Sequence, residues 1–208
     1  MRKDEIIGIA RLHGIFGPYA EDVLSNRLER VPRPRTEKGR RLPAQFKITQ
    51  DLPSKDEYKK LLEQKYTMYV ESLIDDAKSE IEMLAEEMRE WFDNLTEGLQ
   101  QTDKAQTIEQ TADTLEGIYL SDIPEGLDGV KVVYLPAKNA NSREARASEA
   151  SSMLHLAAGT IQEYSAEVRE GESNPEDTSQ QDEWEEFAGE LESAADEVDC
   201  CEFPGMYG

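Results

Sequence analysis

Cysteine and histidine are scarce in this 208-residue chain, two of each, and each shortage removes a class of function. The two cysteines, Cys200 and Cys201, are neighbours, a placement too strained for an ordinary disulfide, which fits a reducing compartment. The two histidines, His13 and His155, lie far apart, and no His or Cys pair shows metal-ligand spacing. No metal and no cofactor is therefore expected. No run approaches the ~18 apolar residues that span a bilayer. The apolar patch at Ile6 to Ile9 is too short for a secretion signal, so a soluble, non-secreted protein without a membrane partner is expected. A P-loop, a dinucleotide-binding glycine fingerprint and a nucleophile elbow are all missing. Acidic pairs such as Asp75-Asp76, Glu86-Glu87 and Glu185-Glu186 are too common among 45 carboxylates to mark a general acid and base. No catalytic residue is assigned, and the chain reads as a non-enzyme.

Basic side chains are scarce in a regional way. The net charge is −22. Residues 1–47 carry 11 Lys and Arg against 6 Asp and Glu, a net of +5, and residues 48–208 carry 12 against 39, a net of −27. From Gly171 onward there are 13 acids and no Lys or Arg. A basic head thus precedes an acidic body and a still more acidic tail. Such a body repels nucleic acid and favours partners with a basic surface.

What the chain does have is helical period. Ser54 and Glu57 form a capping-box signature after Pro53. From there Leu62, Tyr66, Tyr69, Leu73, Ala77, Ile81, Leu84, Met88, Trp91 and Leu95 recur at a mean interval of about 3.67 residues, with no Gly or Pro before Gly98. A single spine helix of some 42 residues is expected, about 60 Å long. Thr102 or Asp103 starts a second helix that ends at Gly117 and folds back antiparallel on the first. Ile118 to Leu120 and Val130 to Leu135 are rich in β-branched and aromatic residues and read as a small β-hairpin. Ser142 or Ser148 opens a third helix through Val168, and a fourth begins near Thr178 with Gln181 in capping-box position. The fold class expected is mainly α: a long central helix, antiparallel helical partners and a small β-hairpin.

The expected organisation has four parts. Residues 1–30 form an N-terminal helical hairpin, and 31–53 a basic, proline-containing extended arm. Residues 54–170 form the helical body, with the β-hairpin near 118–135, and 171–208 an acidic helix and tail. Three candidate interaction regions follow. The first is an acidic helical surface: Asp75, Asp76, Glu82, Glu86, Glu87 and Glu90 on the spine, with Glu183, Glu185 and Glu186 on the last helix. Carboxylates along a long helix present charge at spacings comparable to a duplex backbone, which is how a protein can imitate DNA. The second is the basic arm with Arg33, Arg35, Lys38, Arg40 and Arg41. It suits nucleic acid, or an acidic surface of this chain or a neighbouring copy, and only Phe46 could stack on a base. The third is the C-terminal tip, Phe203, Pro204, Met206 and Tyr207, which either docks a partner or caps a groove of the same molecule.

The segment Leu84-Ala-Glu-Glu-Met-Arg-Glu-Trp-Phe-Asp-Asn-Leu95, the following Glu97 to Gln100, and the terminal Glu202-Phe-Pro-Gly-Met-Tyr-Gly208 resemble uncharacterised acidic helical proteins of tailed bacteriophages. The resemblance covers roughly residues 80–117 and the tail, and it carries packing and tip residues, not a mechanism. It implies a phage origin and synthesis in the cytoplasm of an infected cell. The role implied is a host-directed accessory one or a place in the virion. The acidic face makes the leading expectation a protein that binds a host or phage nucleic-acid-handling protein and can block it as a DNA mimic, with a virion or scaffold component as the alternative. An accessory protein binding nucleic acid through residues 30–47 is the third reading. A homodimer stays open.

Overall fold

The computed structural model describes residues 28–31, 45–48, 54–137, 140–171 and 178–205. The chain divides into two compact units, Met1–Tyr66 and Thr67–Gly208. In the first unit β1 (Leu28–Val31) pairs antiparallel with β2 (Gln45–Ile48), with Arg30 opposite Phe46 and Glu29 opposite Lys47. Residues 28–30, expected in a helical hairpin, are therefore strand, and within the expected extended arm Val31 and Gln45–Ile48 are extended and paired. The remainder of the expected hairpin, and Arg33, Arg35, Lys38, Arg40 and Arg41, lie outside the described residues. Helix α1 (Lys55–Tyr66) follows. Its capping box forms as the sequence implies: the Ser54 amide donates to Glu57 Oε2 at 2.8 Å, and the Glu57 amide donates back to Ser54 Oγ at 3.3 Å.

The second unit is a four-helix bundle of α2 (Val70–Asp93), α3 (Asp103–Gly117), α4 (Arg143–Gly171) and α5 (Ser179–Asp199). Helix α2 buries Val70, Leu73, Ile74, Ala77, Ile81, Leu84, Ala85 and Met88, the 3–4 spacing of one helical stripe. It packs on α3 and α4; α4 in turn packs on α5, and α5 touches α3 lightly. Helix α4 runs antiparallel to both α2 and α5, as paired cross-links show: Arg143 to Glu87 with Arg146 to Glu80, and Arg169 to Asp182 with Gln162 to Glu192. Helices α2 and α5 are thus diagonal. Ala147, Ala150, Ala157 and Ala158 of α4 are buried, and their small side chains let α4 lie close to its two neighbours.

Two expected starts are observed directly. Thr102 caps α3 by accepting from the Ala105 amide at 3.2 Å, and Ser142 accepts from the Ala145 amide at 3.2 Å at the start of α4. At α5 the expected capping box is absent. Thr178 precedes the helix without a side-chain bond to its backbone, and its hydroxyl donates instead to Asp182 Oδ2 at 3.1 Å. No helix among the described residues is long and apolar enough to cross a membrane.

The single 42-residue spine is not formed. Thr67–Tyr69 leave the helical path as strand β3, which pairs antiparallel with β4 (Lys131–Val133), and the central helix is the 24-residue α2. The ladder turns Met68 and Val132 inward and leaves Tyr69 and Val133 exposed. The β-pairing is also relocated, since Ile118 to Leu120 make no ladder and β4 takes its partner from the residues before α2. Residues 118–130 instead close one end of the bundle, with Leu120, Leu127 and Val130 buried and the Val70 amide donating to the Val130 carbonyl at 3.0 Å. Trp184 Nε1 donates to the Glu125 carbonyl at 2.9 Å and ties that closure to α5.

Candidate acidic interface on helix α2

Helical geometry decides which carboxylates are available. Asp75, Asp76, Glu82, Glu86 and Glu90 fall on the outer arc of α2, opposite the buried stripe, and all five are exposed. None forms an ion pair with another described residue. Glu87 lies toward α4 and is half-buried. Its Oε1 meets Arg146 Nη1 at 2.5 Å and its Oε2 meets Arg143 Nε at 3.0 Å, while Arg146 Nε also reaches Glu80. Burial alone would raise the Glu87 carboxyl, but the hydrogen bonds and charges of Arg146 and Arg143 together hold it below its ordinary value. Glu87 therefore joins two helices and is withdrawn from the proposed surface.

The acidic residues of α5 do not extend the α2 surface, because the two helices are diagonal. Glu183 and Glu186 are exposed, whereas Glu185 pairs with Arg169 at 3.1 Å and accepts from the Ser165 hydroxyl at 3.3 Å. The nine acids singled out in the sequence thus divide into an outer α2 row of five, a separate α5 pair, and two interhelix anchors.

A groove that the sequence does not announce lies beside the α2 row. It occupies about 320 Å³ between α2 and α3, floored by Ile81, Ala85, Leu115, Ile118 and Leu120. Glu82 and Glu86 line it from α2, Glu116 from α3, and Lys78 is the one basic residue among the described residues of its wall. Ala85 puts only a methyl group into this floor. Arg89 holds the α3 side in place, with Nη2 at 2.6 Å from Asp113 and 2.7 Å from Glu116. The Arg89 hydrogen bond keeps the Glu116 carboxyl below its usual value, so it stays ionised beside the groove. At the start of α2, Glu71 hydrogen-bonds Asp128, and that bond, with partial burial and the nearby acids, raises its carboxyl above the usual value.

The C-terminal tip is anchored on the bundle. The Thr111 hydroxyl donates to the Glu202 carbonyl at 2.8 Å, and Lys104 Nζ donates to the Gly205 carbonyl at 2.5 Å. Phe203 and Pro204 are half-buried and Phe203 packs against the core, the self-capping alternative; Met206 and Tyr207 lie outside the described residues. Burial pushes the Cys201 thiol up to about 11, with Cys200 and Glu197 adding to it, so this thiol is not activated as a nucleophile. His155 faces Asp196 and Asp199 at 3.8 and 3.7 Å across α4 and α5. Among the described residues no group of three or more His, Cys, Asp or Glu is placed to hold a metal ion. No family model, curated protein or solved structure matches the chain.

Proposed function

We propose that this chain is a non-enzymatic phage protein that binds a nucleic-acid-handling protein through its acidic helical face and inhibits it by occupying the cleft meant for DNA. The observation that carries this reading is the outer row of α2. Asp75, Asp76, Glu82, Glu86 and Glu90 remain exposed and without ion pairs among the described residues, although Glu80 and Glu87 on the same helix are paired. Uncancelled like charge on one face repels itself, and a basic partner relieves that repulsion. The five carboxylates are spread over 15 helical steps, about 22 Å of helix axis, a mean spacing of ~5.6 Å. One strand of duplex DNA carries a phosphate every ~3.4 Å. The α2 row thus carries roughly six-tenths of the linear charge density of a single strand, and the diagonal α5 acids add nothing to it on that side.

The resemblance of residues 84–100 and 202–208 to acidic phage proteins supports the setting: an infected cell, with a host or phage enzyme as partner. Affinity capture from infected-cell lysate, run at low and high salt, tests the reading. A DNA-handling enzyme held at low salt and released at high salt is expected. Recovery of the chain only within purified particles would contradict it and favour the virion component.

A further inference from the structure

The groove beside the α2 row has a composition that defines its occupant more narrowly than charge alone. Its floor is apolar, from Ile81, Ala85, Leu115, Ile118 and Leu120, and its rims carry Glu82 and Glu86 on one side and Glu116 on the other. Glu116 is paired with Arg89, so two uncancelled carboxylates, Glu82 and Glu86, face one lysine, Lys78, among the described lining residues. Glu82 and Glu86 are four residues apart on one helix, about 6 Å along its axis, the spacing at which a second helix presents residues i and i+4. The volume of about 320 Å³ takes the side chains of a helix lying over the groove, but not a helix lying inside it.

We propose that this groove docks a cationic amphipathic helix of a protein partner. A large apolar side chain of that helix rests on the Ile81–Leu115–Ile118 floor. Lys or Arg at i and i+4 meet Glu82 and Glu86, while Glu116, held by Arg89 through both its oxygens, closes the far side. Charge complementarity selects this occupant. A nucleic acid meets like charge here, and a neutral apolar ligand desolvates the rim carboxylates without giving them a partner. Helix-in-groove binding uses both parts of the lining at once. The inference rests on the acidic-face reading and narrows it to one segment of α2 and one class of partner.

The test uses the full chain and a fluorescein-labelled Leu/Lys peptide of about 18 residues with its leucines on one helical face. A scrambled peptide of the same composition is the control, and binding is read by anisotropy. The amphipathic peptide is expected to bind at least about tenfold more tightly than the scrambled one. Glu82→Lys with Glu86→Lys is expected to remove that preference, and Ile118→Ala to reduce it for the amphipathic peptide only. Glu163→Lys with Glu167→Lys, exposed on α4 and equal in charge and spacing, is expected to leave the preference unchanged. Equal binding of both peptides, lost on reversal of Glu82 and Glu86, would overturn the groove and leave the acidic face standing. Equal loss in the α4 variant would overturn both, since net charge alone would then explain binding. Sedimentation showing a dimer that Glu82→Lys with Glu86→Lys dissolves would assign the groove to a second copy and overturn the proposal.

Discussion

Arg146 of α4 and Glu87 of α2 meet at 2.5 Å, and Arg143, one turn earlier on α4, holds the other Glu87 oxygen at 3.0 Å. Both carboxylate oxygens are thereby used, and the contact fixes the height of α4 against α2. These side chains keep about a quarter to a third of their surface exposed, so solvent screens the pair.

Replacing Arg146 with Ala is accordingly expected to cost about 1 kcal/mol in urea unfolding, and not the several of a buried pair. The loss should depend on pH in a defined direction. Glu87 is held below its ordinary value of 4.5 when folded, so its contribution is complete above that value and disappears as pH falls through the lowered one. The stability gap between the native chain and Arg146→Ala should therefore be constant near neutrality and close in acid. A gap that widened in acid would contradict the pairing.

Gly126 has φ of +91°, and a Cβ there would lie 2.8 Å from Gln180 Nε2 and 2.9 Å from Trp184 Cζ2. Positive φ and close approach both act against any side chain. Gly126→Ala is expected to destabilise the bundle by about 1–2 kcal/mol and to shift the Trp184 fluorescence, because Trp184 must move from its bond to the Glu125 carbonyl. Unchanged emission and unchanged stability would show that the 118–130 closure does not bear on α5.

The tail is held by few contacts, and one of them can be removed alone. Thr111→Val keeps the shape of the side chain and deletes the bond to the Glu202 carbonyl. A loss of about 1 kcal/mol is expected, with faster proteolysis confined to residues after Glu202. If Phe203 were a partner-docking tip, the same variant should bind the partner more tightly. With Phe203 serving the core, binding should stay as it was.

Much of this architecture is legible in the residues, and the failures have physical causes. Helices α3 and α4 read well because each has a local signal: Thr102 and Ser142 as caps, Gly117 as a stop, and alanines on the buried face of α4. The break at Thr67–Tyr69 does not, because three residues of strand occupy one turn of the helical count. Tyr69 fits the 3.67 spacing by coincidence and is 51 % exposed. Only the pairing with β4, which sets Val132 opposite Met68 and Lys131 opposite Tyr69, reveals the strand, and that pairing is non-local. The same limit applies to the candidate surface. Exposure of Asp75, Glu82, Glu86 and Glu90 follows from the α2 stripe, since each lies away from Leu73, Leu84 and Met88. That Glu87 is taken by Arg143 and Arg146, and that α5 is diagonal to α2, depend on how the helices are arranged in space. The groove beside Ala85 has no sequence motif, and a small residue on a buried stripe is its one faint trace.

Displacement of fluorescent duplex DNA from the captured enzyme tests most directly whether the outer row of α2 is the working surface. The comparison is between the native chain and a variant with Asp75, Asp76, Glu82, Glu86 and Glu90 all changed to Asn or Gln. The changes preserve shape and remove five charges. The native chain should displace the DNA, and the neutralised variant should require at least about a hundredfold more protein, a loss of roughly 2.7 kcal/mol. Equal displacement by the two proteins would show that binding lies elsewhere on the molecule.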